Sequence, residues 1–304
     1  DSLIAAKSDH QAGKKPRIVQ LQEEMGSQNQ IRDHLPQSTV KPSAFLSIMQ
    51  GCNMKCSFCI VPKTRGKERY RSIHDIVHEA KELSFRGVKE ITLLGQIVNA
   101  YGRGEFPRIK GKSPFVQLLE ELHDVEGIER IRFTSPHPIA FGSDLVEAFV
   151  RLPKLGHYAH LPMQSGSNRI LKSMKRPYTT ERFQKIVRNL RTACPEIRLS
   201  TDVIVGYPGE TEEDFNQTKA AFEVAGFEMG FIFKYSEREG TSAAIHPDKV
   251  PQDVKERRNQ ELLTLLEKQS LASNLKLVGN RMEILVEAEA RKGNGDFLGR
   301  TRCF

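Results

Sequence analysis

From Ala44 onward, short apolar runs alternate with segments in which apolar residues recur every three or four positions. The runs FLSIMQ, VKEITLLG, IERIRFT, HYAHLPM, IRLSTDVIVGY and MGFIFKY predict six strands. Helices are predicted between them. In SIHDIVHEAKELSFRG, Ile73, Ile76, Val77, Ala80 and Leu83 share one face, Ser72 is placed to cap the first turn and Gly87 to end the last. SPFVQLLEELHDVEG carries the same signals, with Ser113 as cap and Pro114 at the first helical position. GSDLVEAFVRL, SNRILKSM, TTERFQKIVRNLRTAC and TEEDFNQTKAAFEVAG continue the beat, and a long helix follows from about Gln252 to Leu275. Strands alternating with helices predict a parallel sheet with right-handed crossovers. Six units are too few for a closed eight-stranded barrel. The expected fold is therefore α/β, a partial, open (β/α)6 TIM-like barrel.

On either side the pattern changes. Residues 1–40 are polar and mixed, with AGKKPRIVQLQEEM as the only strand-like hint, and read as the remnant of a preceding domain plus a linker. After Leu277, NRMEILVEAEA and FLGRTRCF alternate apolar and polar residues around a Gly/Asn turn, as the first strands of a small β-domain would. The expected division is 1–40, 41–275 and 276–304. Asp1 in place of an initiating methionine, and a last segment that stops within a strand-like pattern, read as the ends of a portion of a longer protein.

Composition adds bounds. An apolar content of 38% and a charged content of 28% are ordinary for a globular chain. No stretch approaches the roughly 18 apolar residues of a membrane span, and no signal-peptide pattern opens the chain. A cytoplasmic protein without a membrane partner is expected. The net charge of +8 hints at a polyanionic partner. Three of the five cysteines fall within eight residues, which argues for a reducing compartment and metal chemistry over disulfides.

Those three, Cys52, Cys56 and Cys59, follow the first predicted strand. A structural zinc site takes four ligands, usually as two pairs, and no fourth Cys or His stands beside them. His74 and His78, one turn apart on the next helix, read as ordinary solvated residues. An iron–sulfur cluster on three thiolates would leave one iron without a protein ligand and open to a substrate or cofactor, with Phe58 shielding the cluster edge. The run that follows, PKTRGKERYR, offers Lys63, Arg65, Lys67, Arg69 and Arg71 to phosphates and Tyr70 to an unpaired base. A solvated loop is the alternative.

CNMKCSFC matches the three-cysteine pattern of the radical S-adenosylmethionine superfamily. The wider chain resembles the methylthiotransferase family within it, through GCNMKCSFCIVPKTRGKERYRS, LLGQIVNAYG, FTSPHP, LPMQSGSNRILKSMKRPYT, STDVIVGYPGET and FKYSEREGT, in the family's order from about Lys41 onward. LLGQIVNAYG and FTSPHP are most similar to the branch that adds a methylthio group to C2 of N6-isopentenyladenosine beside the anticodon of transfer RNA. Ile97 departs from that pattern, which usually has asparagine there.

The resemblance implies a 4Fe–4S cluster on Cys52, Cys56 and Cys59, whose open iron chelates S-adenosylmethionine. One-electron reduction then releases a 5′-deoxyadenosyl radical. It implies cofactor contacts at the C-terminal ends of the strands: Gln96 on the methionine amino group, Ser135 after the third strand, and Gln164, Ser165 and Ser167 on the carboxylate or ribose. Asp202 would follow the fifth strand, on the adenine side, and Tyr235 and Arg238 would follow the sixth. QSGS is open to a second reading as a plain helix cap, and His137 to either a proton-carrying or a rigid-loop role; Cys194 and Cys303 read as packing residues. The family also needs a second 4Fe–4S cluster on an N-terminal domain, and no cysteine precedes Cys52. The implied partners are transfer RNA, through its anticodon stem-loop and through a TRAM domain begun at residue 276, and a one-electron reductant such as flavodoxin or ferredoxin. The target base is expected to be turned out of its stack. Three alternatives stay open: action on threonylcarbamoyladenosine, action on a ribosomal-protein aspartate, and a non-catalytic zinc-containing RNA-binding module.

Overall fold

The computed structural model describes residues 41–290, 292–293 and 295–303. The strand hint and domain remnant expected in 1–40 lie outside the described residues. The single strand expected over FLSIMQ is divided into β1 (Ser43–Ser47) and the two-residue β2 (Met49–Gln50). β2 pairs antiparallel with β3 (Arg69–Tyr70). The cysteines and a short helix, α1 (Val61–Arg65), thus form a closed excursion between β2 and β3.

Strands and helices then alternate as the apolar spacing predicts. α2 (Ile73–Phe85) leads to β4 (Glu90–Leu94), α3 (Pro114–His123), β5 (Arg130–Phe133) and α4 (Ser143–Arg151). The second half runs β6 (Tyr158–His160), α5 (Asn168–Ser173), α6 (Thr180–Ala193), β7 (Arg198–Val205), α7 (Glu212–Ala225) and β8 (Met229–Lys234). α8 (Gln252–Leu275) and the antiparallel pair β9 (Ile284–Glu289) and β10 (Phe297–Thr301) close the chain. The expected caps are present: Ser72 accepts from Asp75 N (3.1 Å) and Ser113 from Val116 N (3.4 Å).

β1, β4 and β5 pair in parallel, as do β6, β7 and β8. Ile131 stitches the two halves together, donating to Lys154 O (2.7 Å) and accepting from Gly156 N (2.9 Å). Six parallel strands therefore follow one another in chain order, with β1 and β8 as the edges of an open barrel. Alternation along each strand separates two faces. Leu46, Ile91, Leu93, Ile131, Phe133, Leu199, Val203 and Val205 are buried in one continuous core with the helices. The opposite face, the lumen, carries Phe45, Thr92 and Arg132 at one register level, and His160 beside Ser200. Asp202 stands beside Phe231, and Ile204 beside Phe233. A closed barrel fills its lumen with side chains. Here Phe45, Phe231 and Phe233, on the two edge strands, are more than half exposed.

The floor of the barrel, at the N-terminal strand ends, is sealed by the C-terminal hairpin. Glu90 is fully buried and pairs with Arg132 Nε (2.9 Å) and Arg300 Nη2 (3.0 Å). Arg130 pairs with Glu283 (2.6 Å) and donates to Arg300 O (2.8 Å), while Arg132 reaches Thr301 O (2.5 Å). Ser43 donates to Glu287 (3.0 Å). The segment that the sequence separates at residue 276 is thus tied to the barrel by ion pairs.

Candidate functional site

The cysteine excursion is held by close backbone contacts. Gly51 adopts φ +81°, and a Cβ there would lie 2.0 Å from Lys67 O, so only glycine lets β2 pass this near the returning chain. Cys52 N donates to Gly66 O (3.1 Å), and Asn53 and Glu68 exchange side-chain-to-backbone bonds at 3.0 and 3.2 Å. Ser57 ties the loop to three other elements, through Met174 O (3.1 Å), Ala243 N (2.9 Å) and Tyr207 Oη (2.8 Å). All three cysteines are free thiols. Burial pushes the Cys52 thiol up to about 11 and raises Cys59 as well. Among the described residues, no three His, Cys, Asp or Glu side chains converge on one metal ion. A multi-iron cluster does not require such convergence, because each thiolate takes a different iron.

Around this loop stand buried polar atoms with no partner. Gln96 Oε1, His137 Nε2 and Tyr235 Oη are all shielded from solvent and make no hydrogen bond in the chain. Each such atom costs about 1–3 kcal/mol unless something satisfies it. Others occur elsewhere in the fold, among them Gln184 Oε1 and Arg302 Nε, but these three neutral groups stand at the strand ends that carry the thiols, where a ligand could satisfy them. Ser135 (φ +52°) and Gln164 (φ +64°) hold left-handed backbone on the same rim, conformations that persist only where the surroundings impose them. Phe58, from the cysteine loop, and Ile204, from β7, both pack against the buried cluster that contains Tyr207 and Tyr235. Thiol donors, an amide oxygen, an imidazole N–H and a phenol therefore fit a cluster together with a chelating amino acid cofactor.

His137 is neutral. Burial, reinforced by Arg176 and Arg103, lowers its pKa to about 3. Nδ1 accepts from Ile139 N (3.1 Å), which assigns the ring hydrogen to the unpartnered Nε2. Asn99 clamps the loop by bonding both His137 O (2.9 Å) and His137 N (2.8 Å). His137 is thus a rigidly held N–H donor.

Several expected contacts are redirected. Ser165 and Ser167 are fully buried. Ser165 Oγ lies 3.2 Å from Thr218 Oγ1, and Ser167 Oγ donates to Asp214 (2.6 Å) while capping Ile170 N (3.4 Å). A Cβ on Gly166 would meet Gln217 O and Thr218 Cα at 2.6 Å, so this turn packs on α7. Ser167 caps α5, Ser165 holds the turn by accepting from Ser167 N (3.2 Å), and Gln164 remains at the rim. Asp202 faces the lumen and meets His160 Nε2 at 3.1 Å. Arg238 is exposed on the loop after β8, its carbonyl bonded to Thr241. Ile97 is buried against Cys52 with Ala100, an apolar contact where the related pattern has a polar residue.

The basic run also divides. Arg71 is turned inward, paired with Glu79 (2.6 Å) and donating to Ser47 O (2.8 Å), which withdraws it from the expected RNA surface. Tyr70 is partly buried, donates to Glu68 (2.6 Å) and packs edge-on against Tyr101. Arg69 is partly buried beside Gln50. Lys63, Arg65 and Lys67 are exposed, although Lys63 Nζ reaches Gly240 O (2.5 Å). Cys194 is buried in the core, and Cys303 lies 3.6 Å from Thr301 Oγ1.

Sequence reasoning missed Asn99, His160, Arg176 and the lumen aromatics. Only strand register brings His160, Ser200, Asp202 and Phe231 together, and no local spacing encodes it.

The family model for the Radical SAM superfamily matches residues 46–221 of the chain. The chain is 55% identical to a tRNA-2-methylthio-N(6)-dimethylallyladenosine synthase of Opitutus terrae, covering 94% of this chain and 64% of that protein. It is 53% identical to the synthase of the same name from Methylacidiphilum infernorum, covering 93% and 61%. The chain thus spans less than two thirds of the length of these relatives. Among solved structures, a radical S-adenosylmethionine methyltransferase from Kitasatospora setae shares the fold (TM-score 0.55, 17% identity, 66% of this chain and 38% of that one). So does coproporphyrinogen III oxidase of Escherichia coli (TM-score 0.52, 16% identity, 75% and 53%). With the family match over more than half its length and the three thiols at the rim of an open barrel, the chain belongs to the radical SAM superfamily.

Proposed function

We propose that this chain is the radical-generating part of a transfer-RNA methylthiotransferase that adds a methylthio group to C2 of N6-isopentenyladenosine beside the anticodon. The observation that carries the reading is the set of unpartnered buried atoms on Gln96, His137 and Tyr235 ringed around three free thiols. The 55% identity to a synthase named for this product supports the choice of substrate. Cys52, Cys56 and Cys59 would hold a 4Fe–4S cluster and leave one iron for S-adenosylmethionine. When bound, the pair supplies a 5′-deoxyadenosyl radical after one-electron reduction by a flavodoxin- or ferredoxin-like partner.

The chain's own residues bind and orient. Gln96 Oε1 accepts from the cofactor's amino group, the neutral His137 donates from Nε2, and Tyr235 donates from its hydroxyl. Phe58 and Ile204 exclude water from the adenosine side. The flipped base enters the lumen, where Phe231 and Phe233, stacked at 6.3 Å, offer a flat apolar wall to the base and its prenyl tail. Asp202, oriented by His160, which is itself held by Ser200 (2.8 Å), presents its second carboxylate oxygen to the base edge. Lys63, Arg65 and Lys67 meet phosphates of the anticodon arm. The β9–β10 hairpin, with Ile284, Val286, Phe297 and Leu298 exposed, begins a TRAM-like β-domain. Sulfur comes from a second cluster on a further domain, and the whole works in the cytoplasm. No helix of the described residues is long and apolar enough to cross a membrane.

Anaerobic reconstitution followed by reduction with S-adenosylmethionine tests the reading. 5′-Deoxyadenosine should form, and faster with anticodon stem-loops bearing isopentenyladenosine than with unmodified ones. Equal rates with both RNAs would remove the proposed substrate.

A further inference from the structure

The end of α5 fixes one charged side chain that none of these roles uses. Lys175 takes a left-handed φ of +56°. Lys175 N donates to Lys172 O (3.0 Å) and Arg176 N to Leu171 O (2.9 Å), the paired bonds of a Schellman cap. Pro177 bars further helix. Tyr178 is then anchored through its hydroxyl on Pro162 O (3.0 Å) and Met163 O (3.1 Å). Between these fixed points the Arg176 guanidinium lies 5.2 Å from the Tyr178 ring centre and donates from Nε to Tyr178 Oη (3.2 Å). Its Nη1 donates to Cys56 Sγ at 3.2 Å.

No carboxylate among the described residues forms an ion pair with this partly buried cation; its partners are a phenol and a thiol. Withdrawing a charge from water is offset only when an anion shares the site. A thiolate is such an anion, and a cluster on three thiolates gains a further negative charge when it accepts an electron. Hydrogen bonds to the ligating sulfurs and nearby charge are the protein's means of setting a cluster's potential.

We infer that Arg176 is an electrostatic positioning residue of the metal centre: its Nη1–H···Sγ bond to Cys56 stabilises the one-electron-reduced state of a cluster on Cys52, Cys56 and Cys59 and raises its reduction potential. This rests on the reading of the three cysteines as cluster ligands and is independent of the RNA substrate. Cys52 accepts a backbone N–H, from Met54 at 3.4 Å, whereas Cys56 accepts from a guanidinium, so the thiolates differ: Arg176 also lies within electrostatic reach of Cys59, but its hydrogen bond goes to Cys56.

The test is a redox titration of the reconstituted chain without S-adenosylmethionine, with dithionite as electron donor and electron paramagnetic resonance as readout. R176Q should disfavour one-electron reduction about tenfold, a fall of about 59 mV for a one-electron couple. R176K keeps the charge and loses the planar fork, and should fall by less. A wild-type potential in R176Q at full iron and sulfide content overturns the inference. So does an unchanged potential accompanied by weaker S-adenosylmethionine binding, which would assign Arg176 to the cofactor carboxylate. If R176Q takes up no complete cluster, R176K decides alone, a lowered potential supporting the inference and a wild-type one overturning it. A wild-type chain that binds zinc and no iron would sink the cluster reading itself. A chain with a cluster but no action on transfer RNA would sink only the substrate.

Discussion

The two ends of the barrel treat polar atoms in opposite ways. At the floor, Glu90, Arg130, Arg132, Arg300, Glu283 and Glu287 pair with one another and with the carbonyls of β10. At the rim, Gln96, His137 and Tyr235 keep buried polar atoms without partners, and Ser135 and Gln164 hold left-handed backbone. Both ends are built on the same six strands, so strand geometry is not the cause. The floor's charges are largely paired within the chain, Glu90 Oε1 by Arg300, although Arg302 Nε makes no hydrogen bond, whereas three neutral rim atoms stand open to groups the chain does not contain. Stability should therefore reside below and function above.

The comparison is sharpest at the cysteines. C56S should abolish 5′-deoxyadenosine formation while leaving the thermal midpoint of the metal-free chain unchanged, because the loop lies outside the main core. A large drop in that midpoint, read by circular dichroism, would show that the rim also carries stability. Next in size is E90A. Removing one partner of a buried ion pair costs about 3–5 kcal/mol, so urea unfolding should shift strongly while S-adenosylmethionine affinity stays within twofold. A parallel loss of affinity would erase the division between floor and rim.

Y235F removes a hydroxyl with no partner in the chain. It should leave stability unchanged or slightly raised and weaken S-adenosylmethionine binding by about 1 kcal/mol, roughly fivefold, by calorimetry. Unaltered affinity would place Tyr235 outside the cofactor site. The smallest effect at neutral pH belongs to His137, whose pKa falls from 6.5 to about 3 on folding. Between those values the unfolded chain binds the extra proton, so this contribution is complete above pH 6.5 and is lost as pH falls towards 3. The loss at pH 5.5 is about 1.4 kcal/mol, and H137N should flatten that part of the stability–pH curve. Identical slopes for both proteins would contradict a buried neutral imidazole.

For RNA binding, the exposed cations are fewer than the sequence suggests. Three contacts, from Lys63, Arg65 and Lys67, imply a log–log salt slope of about −2, at about −0.7 per contact. A slope near zero would dismiss this surface.

Periodicity made the barrel legible. The apolar runs that predict six strands mark the observed ones, and Ser72, Ser113 and Pro114 stand where the helices begin. The β2–β3 pairing and α1 were not legible, because elements this short carry no period. Arg71 looks like its basic neighbours in sequence; only the fold shows that it turns inward to Glu79. Ser165 and Ser167 could serve a ligand or a helix; in the fold both are buried, with Ser167 engaged in capping α5 and Ser165 in holding the turn before it. The lumen residues His160, Phe231 and Phe233, the Arg176–Cys56 contact and the hairpin floor depend on side chains far apart in sequence, which local patterns do not join.

Three thiols and an unpartnered rim carry the proposed chemistry. The most direct measurement is electron paramagnetic resonance of the anaerobically reconstituted, reduced chain before and after S-adenosylmethionine is added. A 4Fe–4S signal whose shape changes on addition is expected, as an open iron takes the cofactor. A signal indifferent to the cofactor, or bound zinc with no iron–sulfur signal, would contradict that chemistry.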